Sequence, residues 1–302
     1  MRDPKQKTHR VPRLLLAAVA AVVGLTAFVA QQREPTIYII GDSTVNYGHG
    51  PGSDTHVGWG DLLAEHFDTT RVHVENDARA GRSSRTFQTE GLWDRVLAKL
   101  KPGDFVLMQF GHNDGIAPDD PQRPRGSLRG TGEETIDIVN PVTHQPETVY
   151  TYGHYMRKYA TDAKARGATP IILSPIPRNV WNHGKVVRND RDYGLWAKQA
   201  AKETGAKFID LNAIVADQYD ALGPTKVGAD FFVTDHTHTS RAGAKLNAAA
   251  VARGIRALGA DFPLNSYLKG SGRSELRPLP RSAPHPSPRP LAGEGGASQR
   301  AG

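Results

Sequence analysis

A chain of 302 residues, 38% of them hydrophobic, is long enough for one large domain or two ordinary ones and apolar enough for a sizeable core. Its formal charge of +7 does not mark a nucleic-acid binder: residues 1–30 hold five Lys/Arg and one acid (+4), and residues 271–302 hold five Arg and two Glu (+3), leaving 31–270 neutral. The lack of any cysteine excludes disulfides, thiolate catalysis and thiolate metal sites.

At the N-terminus, Lys5, Lys7, Arg10 and Arg13 precede the apolar run 14–30, the basic-then-apolar pattern of a secretory signal. It predicts export to the periplasm or the cell exterior. Cleavage after Ala30 would place Phe28 where a small residue is expected, so an uncleaved membrane anchor is the alternative, its 17 residues at the lower edge of spanning length.

From 31 to 269 short apolar runs alternate with helix-like stretches, as in successive βα units. Strands are predicted at 37–40, 72–75, 105–109, 170–173 and 207–210, and their aliphatic content suits a sheet covered on both faces. Helices are predicted at 59–66, 92–100, 152–166, 193–204 and 241–258, with Gly103 and Gly167 as stops after two of them. Residues 115–150 break this rhythm. They are rich in Pro, Gly and charge, and only 136–139 and 147–150 read as extended pieces, able to pair as a hairpin across Asn140-Pro141. A loop of this length is expected to be functional or mobile. From 270 onward the chain carries Pro278, Pro280, Pro284, Pro286, Pro288 and Pro290 with few large apolar residues, too few to offset the entropy of ordering. The expected organisation is a signal or anchor at 1–30, a catalytic domain at 31–269 and a disordered tail at 270–302.

Four short blocks carry the chemistry: Gly41-Asp42-Ser43-Thr44, the stretch around Gly81, Gly111-His112-Asn113-Asp114, and Asp235-His236-Thr237-His238. Ser43 follows the first predicted strand directly, where a tight turn can present its hydroxyl beside a free backbone N–H. That hydroxyl needs a base. His238 can take the proton, and Asp235 can hold the imidazole in the right tautomer. Acyl transfer also needs donors aimed at the developing oxyanion, which the Ser43 and Gly81 backbone N–H groups and the Asn113 amide can supply. Singly, each block fits a plainer role as a turn, a helix cap or an Asx-turn. Their placement argues otherwise, because three of them fall just past the first three predicted strands, where doubly wound sheets bind ligands. His236 and His238 beside Asp235 also fit a zinc site, but no other group has ligand spacing and a metal leaves Ser43 and Asn113 unused, so no metal is expected.

The blocks resemble the signature of the GDSL, or SGNH, hydrolases, with Ser43, Gly81, Asn113 and His238 at the four signature positions. Within that superfamily the flanking residues resemble the rhamnogalacturonan acetylesterases over about 37–258. The similarity rests on Gly58-Trp59-Gly60, Asn76-Asp77-Ala78-Arg79-Ala80-Gly81-Arg82-Ser83-Ser84-Arg85-Thr86-Phe87, Gln109-Phe110-Gly111-His112-Asn113-Asp114, Ser174-Pro175 with Arg178 and Trp181, and Asp235-His236-Thr237-His238-Thr239. The resemblance implies an α/β, flavodoxin-like three-layer sandwich with a central parallel five-stranded sheet and no cofactor. It implies deacetylation of pectic polysaccharide through an acetyl-serine, with Ser43 as nucleophile, His238 as base and Asp235 as its partner. Ser43, Gly81 and Asn113 are the implied oxyanion donors.

Arg82, Arg85, Arg178 and Trp181 are candidate substrate contacts, through charge-assisted bonds to galacturonate carboxylates and stacking on sugar rings. Surface ion pairs and a core-edge tryptophan are the plainer alternative. The expected partner is an acetylated pectic polysaccharide or oligosaccharide, bound by a monomer, with no nucleic acid. Competing readings are a general short-chain acyl esterase or lipase, which asks for a more apolar cleft, and a noncatalytic glycan-binding module, against which intact Ser43, Asp235 and His238 argue. Residues 115–150 are long enough to reshape the cleft and so to set polymer specificity.

Overall fold

In the computed structural model, residues 33–49 and 55–270 are described; the expected signal or anchor, and the expected tail beyond Gly270, lie outside the described residues. In chain order the strands are β1 (Thr36–Gly41), β2 (His73–Asn76), β3 (Phe105–Gln109), the hairpin β4 (Thr135–Val139) and β5 (Pro146–Tyr150), β6 (Thr169–Leu173), the short pair β7 (Trp181–Asn182) and β8 (Lys185–Val186), and β9 (Lys207–Ile209). Five of them form one sheet in the order β2-β1-β3-β6-β9, all neighbours parallel. This is the expected three-layer α/β sandwich of the SGNH hydrolases.

The apolar runs look continuous because both faces of the sheet are covered. Ile37, Ile39, Phe105, Leu107, Ile171 and Leu173 enter one core, while Tyr38, Ile40, Val106, Met108 and Ile172 enter the other. Strand periodicity of two sorts the residues between layers rather than between core and solvent. The second core is closed by α1 (Ser84–Thr89), α2 (Leu92–Lys99), α3 (Tyr152–Ala165) and α4 (Tyr193–Thr204); the first by α5 (Leu211–Leu222), α6 (Pro224–Phe231) and α7 (Arg241–Arg256).

Several boundaries differ from the sequence reading for local reasons. Residues 59–66 form a 3-10 helix, and Asp210 is not the end of β9 but the cap of α5, its carboxylate accepting from the Ala213 N–H. Helix α1 was not expected. Its start is written in a reciprocal cap, Ser83 with Thr86, that lies inside what reads as a loop. The hairpin is as expected, Val139 pairing with Pro146 and Thr135 with Tyr150.

Register places the site. Gly41 pairs with Gln109, so β1 and β3 end level and the blocks that follow them emerge side by side.

Candidate active site

Gly41 ends β1 where no side chain fits: a Cβ there would lie 2.6 Å from the Gln109 carbonyl oxygen and from Val45 Cγ2. The close approach lets the chain turn sharply into Asp42-Ser43-Thr44. A buried chain of bonds then fixes the turn: the Trp59 indole donates to Gln109 Oε1 (3.0 Å), Gln109 Nε2 donates to Thr44 Oγ1 (2.7 Å), and the Thr44 hydroxyl donates to Asp42 Oδ1 (2.7 Å). Ser43 rides on this support, only 8% exposed, its Oγ 2.8 Å from His238 Nε2.

His238 Nδ1 lies 2.7 Å from Asp235 Oδ2, while Asp235 Oδ1 accepts the Thr237 and His238 backbone N–H groups at 2.6 and 2.8 Å. Burial raises the Asp235 carboxyl, but the His238 side chain and these two amides outweigh it and bring it down to about 2. An ionised carboxylate only accepts, so the His238 proton sits on Nδ1 and Nε2 is left as the acceptor for the Ser43 hydroxyl. The block is anchored to the nucleophile's own support through the 57–59 segment: Val57 N–H donates to the Thr239 carbonyl (3.0 Å) and Trp59 N–H to the Thr44 carbonyl (3.1 Å).

The two middle blocks are stitched to the first. Arg79 N–H donates to the Gly41 carbonyl at 3.0 Å, and Asn113 Nδ2 donates to the Arg82 carbonyl at 3.0 Å, which leaves its second amide hydrogen for another acceptor. Gly81 has φ +77, a left-handed conformation that a side chain would strain. Neither the Ser43 nor the Gly81 backbone N–H has an acceptor among the described residues.

Asp114 holds Asn113 in place from within the fold. Its buried carboxylate accepts the Ser84 N–H at 3.1 Å, the Ser84 hydroxyl, and the Ser127 hydroxyl at 2.9 Å, tying β3's exit to α1 and to the long loop. Burial pushes this carboxyl up from 3.8 to about 6, more than those hydrogen bonds can reverse. A carboxyl raised on folding favours the native state below its ordinary value and loses that contribution as pH rises through the folded value. Wild-type stability is therefore expected to fall on the order of 3 kcal/mol between about pH 4 and 6 on this account. Thermal or urea melts across that range should show the slope, and Asp114→Asn should flatten it.

Of the four candidate substrate contacts, Arg85 is corrected: it is 0% exposed, so it cannot reach a sugar. Its guanidinium donates to the carbonyls of Gly126 (2.9 Å), Pro124 (2.6 Å) and Pro118 (3.2 Å). Its Nε lies 3.1 Å from Glu147 Oε1, an ion pair without hydrogen-bond alignment. Arg178 is turned to the protein, donating to Thr237 Oγ1 (2.6 Å) and the His112 carbonyl (3.0 Å), and so bridges the third and fourth blocks. Trp181 is half-buried against the core with its indole on Asn179 Oδ1 (2.6 Å). Arg82, paired with Glu90 at 2.7 Å, faces a cleft beside Gly81.

His236 Nε2 lies near Arg178 (3.4 Å), and no group of three or more metal-ligating side chains gathers among the described residues. His112 is half-buried as a residue, yet its Nε2 is shut from solvent; burial pushes the ring down to about 4, with Arg178 and His238 adding to it against the pull of Asp42. Sequence reasoning missed Tyr47 and His56, whose rings pack edge-on to His238 at 4.9 and 5.6 Å between centroids. Lone aromatic residues in a Gly-rich loop carry no spacing signal that would have singled them out.

Fold and site together define a hydrolase of carboxylic esters that works through a serine. The GDSL-like lipase/acylhydrolase family model matches residues 39–246, and the chain belongs to that family. Among its relatives, the rhamnogalacturonan acetylesterase of Emericella nidulans is 34% identical over 73% of this chain and 84% of its own length. The probable rhamnogalacturonan acetylesterase YesY of Bacillus subtilis is 32% identical over 74% of this chain and 93% of its own. The solved structure of Bacillus subtilis YxiM superposes with a TM-score of 0.61 at 25% identity, covering 76% of this chain but only 58% of that longer protein.

Proposed function

We propose that the protein is an exported carbohydrate esterase that removes acetyl groups from rhamnogalacturonan through an acetyl-serine intermediate. The observation that carries the chemistry is the unbroken relay Ser43–His238–Asp235, with contacts of 2.8 and 2.7 Å. Ser43 Oγ attacks the acetyl carbonyl carbon while His238 Nε2 takes its proton. The carbonyl oxygen, now negative, is held by the Ser43 and Gly81 N–H groups and by Asn113 Nδ2. Collapse of the tetrahedral state expels the sugar oxygen, which receives the proton from His238. Water then attacks the acetyl-serine by the same route and acetate leaves.

The substrate class is supported by two relatives of more than 30% identity, both named for rhamnogalacturonan, and by the charged side chains Arg82, Arg123, Arg125, Glu90 and Glu147 around a cleft next to Gly81. Export is proposed from the N-terminal charge and hydropathy pattern; no helix among the described residues is long and apolar enough to cross a membrane. Acetate release should be compared on acetylated rhamnogalacturonan, acetylated xylan and an aryl acetate. The expected result is a kcat/KM at least about tenfold higher on the pectic ester. Equal or better rates on the aryl ester would sink the substrate assignment.

A further inference from the structure

The site as described leaves a second charged feature without a role. Next to Gly81, α1 and the segment 122–125 face the tip of the β4–β5 hairpin across a cleft of about 400 Å³, within the range of small-molecule sites. Arg82, Arg123, Arg125, Glu90 and Glu147 all line it. Both carboxylates are already engaged: Glu90 pairs with Arg82 at 2.7 Å, and Glu147 lies 3.1 Å from Arg85 and accepts Asn140 Nδ2 at 2.9 Å. The guanidiniums of Arg123 and Arg125 make no ion pair or hydrogen bond among the described residues. Neither side chain is held in an ion pair, and only the longer-range fields of Asp120 on Arg123 and of Glu90 on Arg125 offset their charges.

Arg125 is half-buried, and its Nη1 lies 2.8 Å from where a Gly81 Cβ would stand. Burial lowers its guanidinium's proton affinity, and Arg123 and Arg82 add like-charge repulsion against a smaller pull from Glu90. An anion entering here would relieve that repulsion and complete bidentate bonding that no protein group supplies. It would also sit close to Gly81, a proposed oxyanion donor. The hairpin tip adds Asn140, Thr143 and Gln145, amide and hydroxyl groups suited to sugar hydroxyls.

We propose that Arg123 and Arg125 form a subsite for the carboxylate of a uronate residue in the substrate, holding the acidic sugar beside Gly81 while its acetyl ester, or its neighbour's, reaches Ser43. This rests on the carbohydrate-ester function proposed above and names the group that would confer its selectivity. It also gives residues 115–150 a task, because one loop supplies both the arginines and the opposing hairpin.

The test compares an acetylated galacturonate-containing oligosaccharide with the same compound methyl-esterified at its carboxyls, in wild type and in the Arg123→Ala/Arg125→Ala double variant. For wild type, methyl esterification should raise KM about tenfold or more, the loss expected of a hydrogen-bonded charge pair, with less effect on kcat, and added salt should narrow the gap. The double variant should treat the two forms alike to within about twofold. Melting curves monitor its fold, and Arg125→Gln, which keeps the aliphatic stem and a polar end without the charge, serves if the double variant is unstable. A wild type that cleaves the pectic ester well but ignores its charge overturns the subsite alone, as does a variant that keeps the wild-type ratio. A wild type no better on either oligosaccharide than on an aryl acetate overturns the proposed function and this subsite with it.

Discussion

Ser43→Ala should lower acetate release by at least about 10⁴-fold while leaving the fold intact. The size follows from the chemistry, since among the described residues no other hydroxyl is placed against His238 Nε2 and a residue that acts as part of a unit takes most of the unit's effect with it. The harmlessness to folding follows from the turn. Its supports run through Asp42, Thr44, Gln109 and Trp59, none of which bonds to Ser43 Oγ. A purified variant that folds and still turns over within tenfold of wild type would remove Ser43 from the mechanism. His238→Ala should match it, since without the base the hydroxyl keeps its proton.

Arg85→Ala should destabilise the protein by about 3–5 kcal/mol, the usual cost of breaking a buried pair by removing one partner. Truncation leaves Glu147, whose side chain is 16% exposed, without its cation, and strips donors from the carbonyls of Pro118, Pro124 and Gly126. Arg85→Lys is not expected to rescue, because an ammonium cannot span three carbonyls and a carboxylate as a planar fork does. Urea denaturation reads the loss directly. Since Arg85 clamps the loop that presents Arg123 and Arg125, limited proteolysis should also cut within 115–150 sooner in the variant. An unchanged midpoint would show that the loop is organised by other contacts.

The two arginines of the second block illustrate what local sequence carries. Arg82 and Arg85 are three apart beside Gly81, and both read as substrate contacts, yet one faces the cleft and the other is fully enclosed. Which fate each meets depends on carbonyls 33 to 41 positions away, and no pattern near Arg85 encodes them. The strands were legible for the opposite reason. Their aliphatic runs must be covered on both faces wherever the rest of the chain goes, so the runs themselves announce a parallel sheet. Helix α5 is concealed in the sequence because its cap, Asp210, completes a plausible strand, and the Ser83–Thr86 cap of α1 lies inside a run that reads as a loop.

The βα order, the positions of the four blocks and hence the candidate set Ser43, Gly81, Asn113, Asp235 and His238 are written in the amino-acid order alone. They are legible there because strand ends and tight turns are short-range features, and topology then brings strand ends together. Folding in three dimensions turns Arg85 and Arg178 inward on the protein and lets Asp114 brace Asn113 from a buried position. It alone sets Arg125 against Gly81 and Arg123 in the same cleft, neither in an ion pair. The fate of a long cationic side chain is settled by which distant carbonyls and carboxylates reach it first, and those distances exist only in the folded chain.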